Sequence, residues 1–421
     1  MKDFFKNIIT SILIFESKII LKKYKPKVIA VTGTVGKTST KDAIFTVLSS
    51  VEHVRKSQKS FNSEIGVPLT VIGCQNGWSD PIAWIKNIII GLDNIIFNAN
   101  YPKCLVLEVG ADHPGDIQKI SKWLKTDISV ITKVGDVPVH VEFFSSPEEV
   151  LKEKSYLINA LKEDGMLVLY ADDKKVNRLS DGVKQKVITF GIENIATIQG
   201  TNIETVYDED RLPKGILFYL KYKDQSLPVR IDGILGVQQV YPLIAGAAVG
   251  IAYGVPLEKI VLSFERHETP KGRMNLIKGI RNSMIIDDSY NSSPDALREG
   301  LNTLASLQVS GKRIAVLGDM LELGQYSVEE HRKAGVQAMQ SCDVLITVGN
   351  RARGMSDSAK NFSNSKDAGE YVRSIVGEGD VVFVKGSQGL RMERVSKAIL
   401  LNPEDAKDVL VRQEDEWLAK K

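Results

Sequence analysis

The stretch from Val28 to Thr40, VIAVTGTVGKTST, constrains this chain more than any other. Val28 to Val31 is a β-branched and apolar run that reads as a buried strand; the chain turns at Thr32-Gly33-Thr34 and enters Gly36-Lys37-Thr38-Ser39-Thr40. Asp42, Ala43, Ile44, Val47 and Leu48 then follow as a helix. Backbone N–H groups at such a turn, with the positive end of the helix behind them, hold phosphate oxygens. That makes Gly33, Thr34, Val35, Gly36, Lys37, Thr38 and Ser39 the candidate phosphate-binding residues. Lys37 suits the outer phosphates and the Thr38 hydroxyl suits Mg²⁺.

Only Thr34 and Val35 separate Gly33 from Gly36, which is shorter than the common P-loop. The 421 residues leave room for two or three domains with ample core. A net charge of +3 gives no argument for nucleic acid, so an anionic partner has to be held by a local site. Cys74, Cys104 and Cys342 lie far apart and form no metal or redox pair, which fits a reducing cytoplasm.

Residues 1–25 carry Phe4, Phe5, Ile8, Ile9, Ile12, Leu13, Phe15, Ile19 and Ile20 at spacings that fill a broad helix face, interrupted by Lys6, Glu16 and Lys18. The segment is a poor transmembrane span and has no small-residue cleavage site. Two readings stay open: a packed helix, and a basic helix lying on a membrane surface. A second apolar stretch, residues 78–97, places Trp84, Ile85, Ile88, Ile89, Leu92, Ile95 and Ile96 at helical spacing. It suits core packing, or a membrane-facing or partner-facing patch shared with the first segment.

Cys104 to Val109 reads as a second buried strand that delivers Glu108, and Ile128 to Thr132 as a third that runs on toward His140. Strand ends are where open α/β sheets bind ligands, so Lys37, Glu108 and His140 are expected in one crevice. Glu and His are suitable partners for a divalent ion that neutralises a phosphoryl group. Pro147 opens a helix that carries Lys152 and Lys154. Gly165 to Gly236 holds short β-rich pieces expected to form a lateral sheet, and Gln238 to Tyr253 is an Ala- and Gly-rich helix. Strands and helices alternate again from Asn275 onward. The expected fold is therefore α/β, with an N-terminal apolar helix over 1–25, a P-loop domain with a parallel sheet over 26–268, and a Rossmann-like unit over 269–421.

Seven stretches together carry a family resemblance: VTGTVGKTST, FNSEIGVPLT, LEVGADHPGDI, TPKGRM, DDSYNSSPDAL, VLGDMLELG with His331, and VKGSQGLRME. The chain resembles the Mur ligases, and within them the MurF type. The resemblance implies an ATP-dependent peptide ligase that adds D-Ala-D-Ala to a UDP-MurNAc-tripeptide, a muropeptide precursor, through an acyl phosphate. It implies ATP and two Mg²⁺ ions, with Lys37 and Thr38 on the phosphates and the first ion, and Glu108 and His140 on the second. Lys154 matches a lysine that the family carries as a carbamate formed with CO₂, an anionic metal ligand in place of an ammonium. Asn62 matches the active-site loop, and Arg273 would reach the phosphates from the domain junction. Asp288 and Asn291 would lie on the nucleotide side, and Lys385, Gly386 and Ser387 on the dipeptide or its carboxyl-bearing partner. Gln239 stands where the family has an adenine-contacting Asn.

MurF proteins usually carry a uridine-binding domain ahead of the P-loop, whereas here the P-loop strand begins at residue 28. That makes a lipid-linked or otherwise altered acceptor the alternative, with a location at the inner membrane face. A non-catalytic ATP-binding scaffold is the alternative of another class, and the presence of Glu108, His140 and Lys154 argues against it.

Overall fold

The computed structural model describes residues 2–58, 61–78, 80–97 and 100–419, with the side chains of residues 2–5 and 416 excepted. Ser60, at the head of the polar loop, and the side chains of Phe4 and Phe5 therefore lie outside the described residues.

Helix α1 (Lys2–Tyr24) leads into β1 (Lys27–Thr32), which runs through the phosphate-binding turn into α2 (Lys37–Ser49). Strands β2 (Val54–Lys56), β3 (Cys104–Glu108), β4 (Thr126–Ile131), β5 (Leu161–Tyr170), β6 (Lys186–Gly191), β7 (Ile198–Tyr207), β8 (Pro213–Tyr222) and β9 (Gln225–Asp232) join β1 in one sheet. Among the described residues its order is β2-β3-β1-β4-β5-β6-β7-β8-β9. The strands are parallel up to β7, and the β7-β8-β9 edge is antiparallel. The lateral β-rich part thus hangs on the parallel strands as one edge of the same sheet. Strand β1 lies between β3 and β4, so the crevice at its C-terminal end is the switch point where such sheets take ligands.

Between β2 and β3 come α3 (Gly66–Ile72) and α4 (Pro81–Ile96). Helix α1 packs on both, burying Leu13, Ile20 and Ser17, whose hydroxyl donates to the Pro68 carbonyl. Further along the chain lie α5 (Asp116–Ser121), α6 (Pro147–Ser155) and α7 (Val240–Tyr253). Gly246 and Gly250 bring α7 against Ala43 and Val47 of α2; a methyl group at either glycine would collide there.

The second sheet runs β10 (Asn275–Gly279), β11 (Ser283–Asp288), β12 (Arg313–Gly318), β13 (Val344–Val348), β14 (Lys360–Phe362) and β15 (Val381–Lys385). Its order among the described residues is β10-β11-β15-β12-β13-β14, parallel except for β10. Helix α8 (Pro294–Ser306) follows β11, with Ser293 as a side-chain cap on the Ala296 N–H. Helix α8 meets the first sheet where Lys133 pairs with Glu299 at 3.3 Å. The boundary expected at 268/269 falls between the two sheets, in the irregular segment 267–274.

Candidate active site

The turn after β1 is bound to the end of β4. The Thr34 and Val35 N–H groups donate to the Lys133 carbonyl at 2.9 and 3.1 Å, and Thr132 Oγ1 donates to the Val35 carbonyl at 2.8 Å. Gly36 caps α2 with φ 84°, a left-handed conformation that glycine adopts without strain. Lys37 Nζ folds back onto the Gly33 carbonyl at 2.9 Å. Burial pushes its ammonium below the usual lysine range; Glu108 opposes that shift, Arg273 adds to it and Asp112 opposes it. Lys37, Glu108, Asp112 and Arg273 therefore share one electrostatic neighbourhood at the strand ends.

Glu108 ends β3 and is 1% exposed. Its Oε1 accepts from Asn62 Nδ2 at 3.2 Å, and the Asn62 carbonyl accepts the Gly110 N–H at 2.7 Å, so the polar loop sits directly on the carboxylate. Its Oε2 is buried with no hydrogen-bond partner among the described residues. A buried, unpaired carboxylate oxygen is costly unless a cation meets it.

Lys154, at the end of α6, is 3% exposed and donates to the Ala111 carbonyl at 3.4 Å. Burial first, and Lys37 second, lower its pKa to about 7. Its neighbour Glu153 is also buried and accepts the N–H groups of Gly115, Ile117 and Gln118. That carboxylate caps the first turn of α5 and fixes the Gly110–Gly115 loop beside Lys154. Sequence reading passed over Glu153, because its role depends on an α5 that the spacing of 116–121 is too short to announce.

His140 takes a left-handed backbone with φ 68° and is placed differently from Glu108. Its Nε2 lies 3.6 Å from Asp112 Oδ1, and its Nδ1 lies 2.8 Å from Glu322 Oε2. Glu322 belongs to the LELG stretch after β12, so His140 bridges the two sheets. No group of three or more His, Cys, Asp or Glu side chains poised for a metal occurs among the described residues. Mg²⁺ does not need one, since it keeps several waters and takes one or two carboxylates beside substrate phosphates. The buried, unpaired Glu108 oxygen fits that ion.

Beside the turn opens a cleft lined by Gly36, Ser39, Gln239, Arg273, Asp288 and Lys385 among others. Its far wall is aromatic and was not found from sequence: Tyr170, Phe190 and Tyr241, with Tyr170 and Tyr241 ring centroids 4.7 Å apart. The Tyr241 hydroxyl donates to Asp172 at 2.9 Å, which fixes its ring. Tyr241 follows Gln239 by two residues, and its place at the helix start was the signal available.

Lys385 Nζ is held by Asp288 and by the Asn291 carbonyl. Burial pushes Lys385 down and Asp288 up, each shift opposed by the pair's mutual attraction. Gly386 packs on Gly318 and Met392, and Ser387 Oγ accepts the Leu321 N–H at 2.8 Å. These residues knit β15 to β11 and β12 at the edge of the cleft.

A parallel sheet with a short Gly-Lys-Thr turn, faced by a second α/β sheet across a cleft, defines a two-sheet nucleotide-dependent enzyme. Residues 31–250 match the Mur ligase middle domain, and residues 272–388 match the Mur ligase glutamate ligase domain. The chain belongs to the Mur ligase family, whose members of this type are ATP-dependent ligases. It is 29% identical over 397 residues to the UDP-N-acetylmuramoyl-tripeptide–D-alanyl-D-alanine ligase of Bacillus subtilis (strain 168), covering 92% of this chain and 79% of that one. The enzyme of the same name from Mycobacterium leprae is 27% identical, covering 89% of this chain and 73% of that one. The crystal structure of the MurF ligase from Thermotoga maritima in complex with ADP superimposes with a TM-score of 0.77 at 25% identity, covering 92% of this chain and 83% of that one.

Proposed function

We propose that this chain is a MurF-type ligase that joins D-Ala-D-Ala to a UDP-MurNAc-tripeptide-like acceptor at the expense of ATP, in peptidoglycan precursor synthesis. The reaction class is supported by relatives named for that activity, over most of the chain. The observation that carries the reading to these residues is the buried, unpaired Glu108 oxygen in the field of the P-loop lysine. Amide formation needs an activated carboxyl, because a carboxylate is a poor electrophile. Phosphorylation by ATP supplies the activation, and the amine of the dipeptide then attacks the acyl phosphate.

In this reading the turn N–H groups and Lys37 bind the phosphates, and the aromatic wall with Gln239 takes the base. Thr38, Glu108 and His140, with Lys154 as its carbamate, hold Mg²⁺, which when bound neutralises the phosphoryl oxygens. Two ions and the carbamate belong to the proposal. Lys154 supports it, since only a neutral amine adds CO₂ and burial lowers this amine's pKa to about 7. Arg273, a planar and permanently charged fork, stabilises charge on the transferring group. Asn62 orients Glu108, and the 288–291 and 385–387 turns shape the cleft opposite.

A cytoplasmic location, with peripheral contact through residues 1–25 and 78–97, belongs to the same reading; no helix among the described residues is long and apolar enough to cross a membrane. The test is ADP release with Mg²⁺ and D-Ala-D-Ala, comparing UDP-MurNAc-tripeptide with the same peptide lacking uridine. Dipeptide-dependent turnover on the UDP form is the expected outcome. Equal turnover on both, or none on the UDP form, overturns the acceptor assignment.

A further inference from the structure

Helix α4 turns much of its apolar surface outward. Its fully buried positions are Asn87, Gly91 and Asn94, while Trp84, Ile90 and Ile95 pack half-buried against the core. Asn87 Nδ2 donates to the Gln75 carbonyl at 2.7 Å, and Asn94 Nδ2 donates to the Ile72 carbonyl at 3.0 Å. Gly91 leaves room for the Glu16 side chain of α1. Ile82, Ile85, Ile89, Leu92 and Ile96 recur at alternating steps of three and four and all face solvent, with Trp78 before the helix and Phe97 after it. Ile82 and Phe97 are each 76% exposed. A soluble surface helix does the reverse, and a continuous apolar stripe of this kind marks a contact surface.

Helix α1 lies alongside in the same direction, since Glu16 meets Gly91 and Lys23 Nζ reaches the Ile95 carbonyl at 2.8 Å. Its outward positions read Ile8, Ser11, Phe15, Lys18 and Lys22, and Lys6 and Lys25 are exposed as well. Between residues 6 and 27 the one acidic side chain is Glu16, and it is buried. On α4 and its cap, Lys86, Asp80 and Asp93 are exposed, and Asp80 is spent on capping the Ile82 N–H. The helix alongside the apolar stripe therefore exposes only basic charge over residues 6–25. Two copies meeting face to face would set these lysines against one another, whereas a bilayer with anionic headgroups neutralises them.

We propose that the α1–α4 face docks this protein on an anionic phospholipid surface, with the α4 stripe at the headgroup–acyl boundary and Lys6, Lys18, Lys22 and Lys25 on the lipid phosphates. The proposal does not depend on the identity of the ligase substrate. Docking by this face is peripheral, not spanning, and it leaves the strand-end cleft in the protein body.

The test is co-sedimentation of the full chain with phosphatidylcholine vesicles and with vesicles containing about one-third phosphatidylglycerol. Binding to the anionic vesicles is expected, with weak binding to the neutral ones. The double substitution Ile85→Glu and Ile89→Glu, at exposed positions, should lower the bound fraction by about tenfold or more. Lys18→Glu with Lys22→Glu should weaken it by a few-fold, as should high salt. A thermal melt and ATP turnover with soluble reagents, both unchanged, show that the variants fold. Three results overturn the proposal: no binding to either vesicle, binding indifferent to Ile85→Glu and Ile89→Glu, or equal binding to neutral vesicles. A doubled mass in light scattering that returns to one chain in the isoleucine variant also overturns it, by assigning the face to a second copy.

Discussion

Arg273 lies over the ring of Tyr290, its guanidinium carbon 4.3 Å from the ring centroid. Arg412, from the C-terminal segment, approaches the same ring at 5.4 Å and donates to the carbonyls of Ser289 and Tyr290. Arg412 is itself anchored on buried Glu393 at 3.1 Å. The loop after β11 is thus held by Arg412 through its carbonyls and stacked on by Arg273, which also lines the cleft.

A flat cation on a ring is not replaced by a point charge. Arg273→Lys is expected to lower turnover about tenfold and Arg273→Ala by roughly 10² or more, as for loss of a group that stabilises transferring charge. Steady-state ADP release at saturating ATP measures both. Equal activity of the lysine variant and the parent would show that the stack does not matter.

The aromatic wall makes a second expectation. Tyr241→Ala removes a ring that borders the cleft and is expected to raise KM for ATP about tenfold, with a smaller change in kcat. Tyr241→Phe keeps the ring, loses the hydroxyl that donates to Asp172 and is expected to stay within a few-fold. A KM unmoved by Tyr241→Ala would place the base elsewhere.

Parts of this architecture were legible in the sequence for a physical reason. Parallel strands buried on both faces read as unbroken apolar runs, so Cys104 to Val109 and Ile128 to Thr132 announced themselves, and with them the position of Glu108. The β7-β8-β9 edge was legible as β-rich, while its hydrogen bonding to β6 was not, because pairing is non-local. Periodicity found the apolar stripe of α4 but not which way it faced. The inward positions include Asn87 and Asn94, whose polar groups are met by carbonyls that only the folded chain supplies. Likewise nothing near His140 in sequence points to Glu322, which arrives from the other sheet.

Glu16 gives an expectation for stability. Both of its carboxyl oxygens are buried without a hydrogen-bond partner among the described residues, and burial raises its pKa from 4.5 to about 7. Between those values the folded chain keeps a proton that the unfolded chain has lost, so this group's contribution to stability falls as pH rises through that window. Glu16→Gln has no charge to bury. It is expected to match the parent at pH below 4.5 and to exceed it by about 1–3 kcal/mol above pH 7, read from denaturant melts at both ends. A difference independent of pH would mean that Glu16 is not the titrating group.

Lys154 supplies the most direct chemical test of the ligase reading. An ordinary lysine is almost wholly protonated at neutral pH and does not add CO₂, but an amine with a pKa of about 7 is mostly neutral slightly above that pH. Turnover is therefore expected to drop in CO₂-stripped buffer and to recover with bicarbonate, and the recovery should fade as pH falls through about 7. Lys154→Ala should be inactive with an unchanged melt and be partly restored by a short-chain carboxylate, which supplies the missing anionic oxygen. A fully active Lys154→Ala variant would remove this side chain from the metal site. Bicarbonate independence together with failure of carboxylate rescue would leave Lys154 as an amine that neutralises phosphate, with Glu108 and the phosphates holding Mg²⁺ unaided.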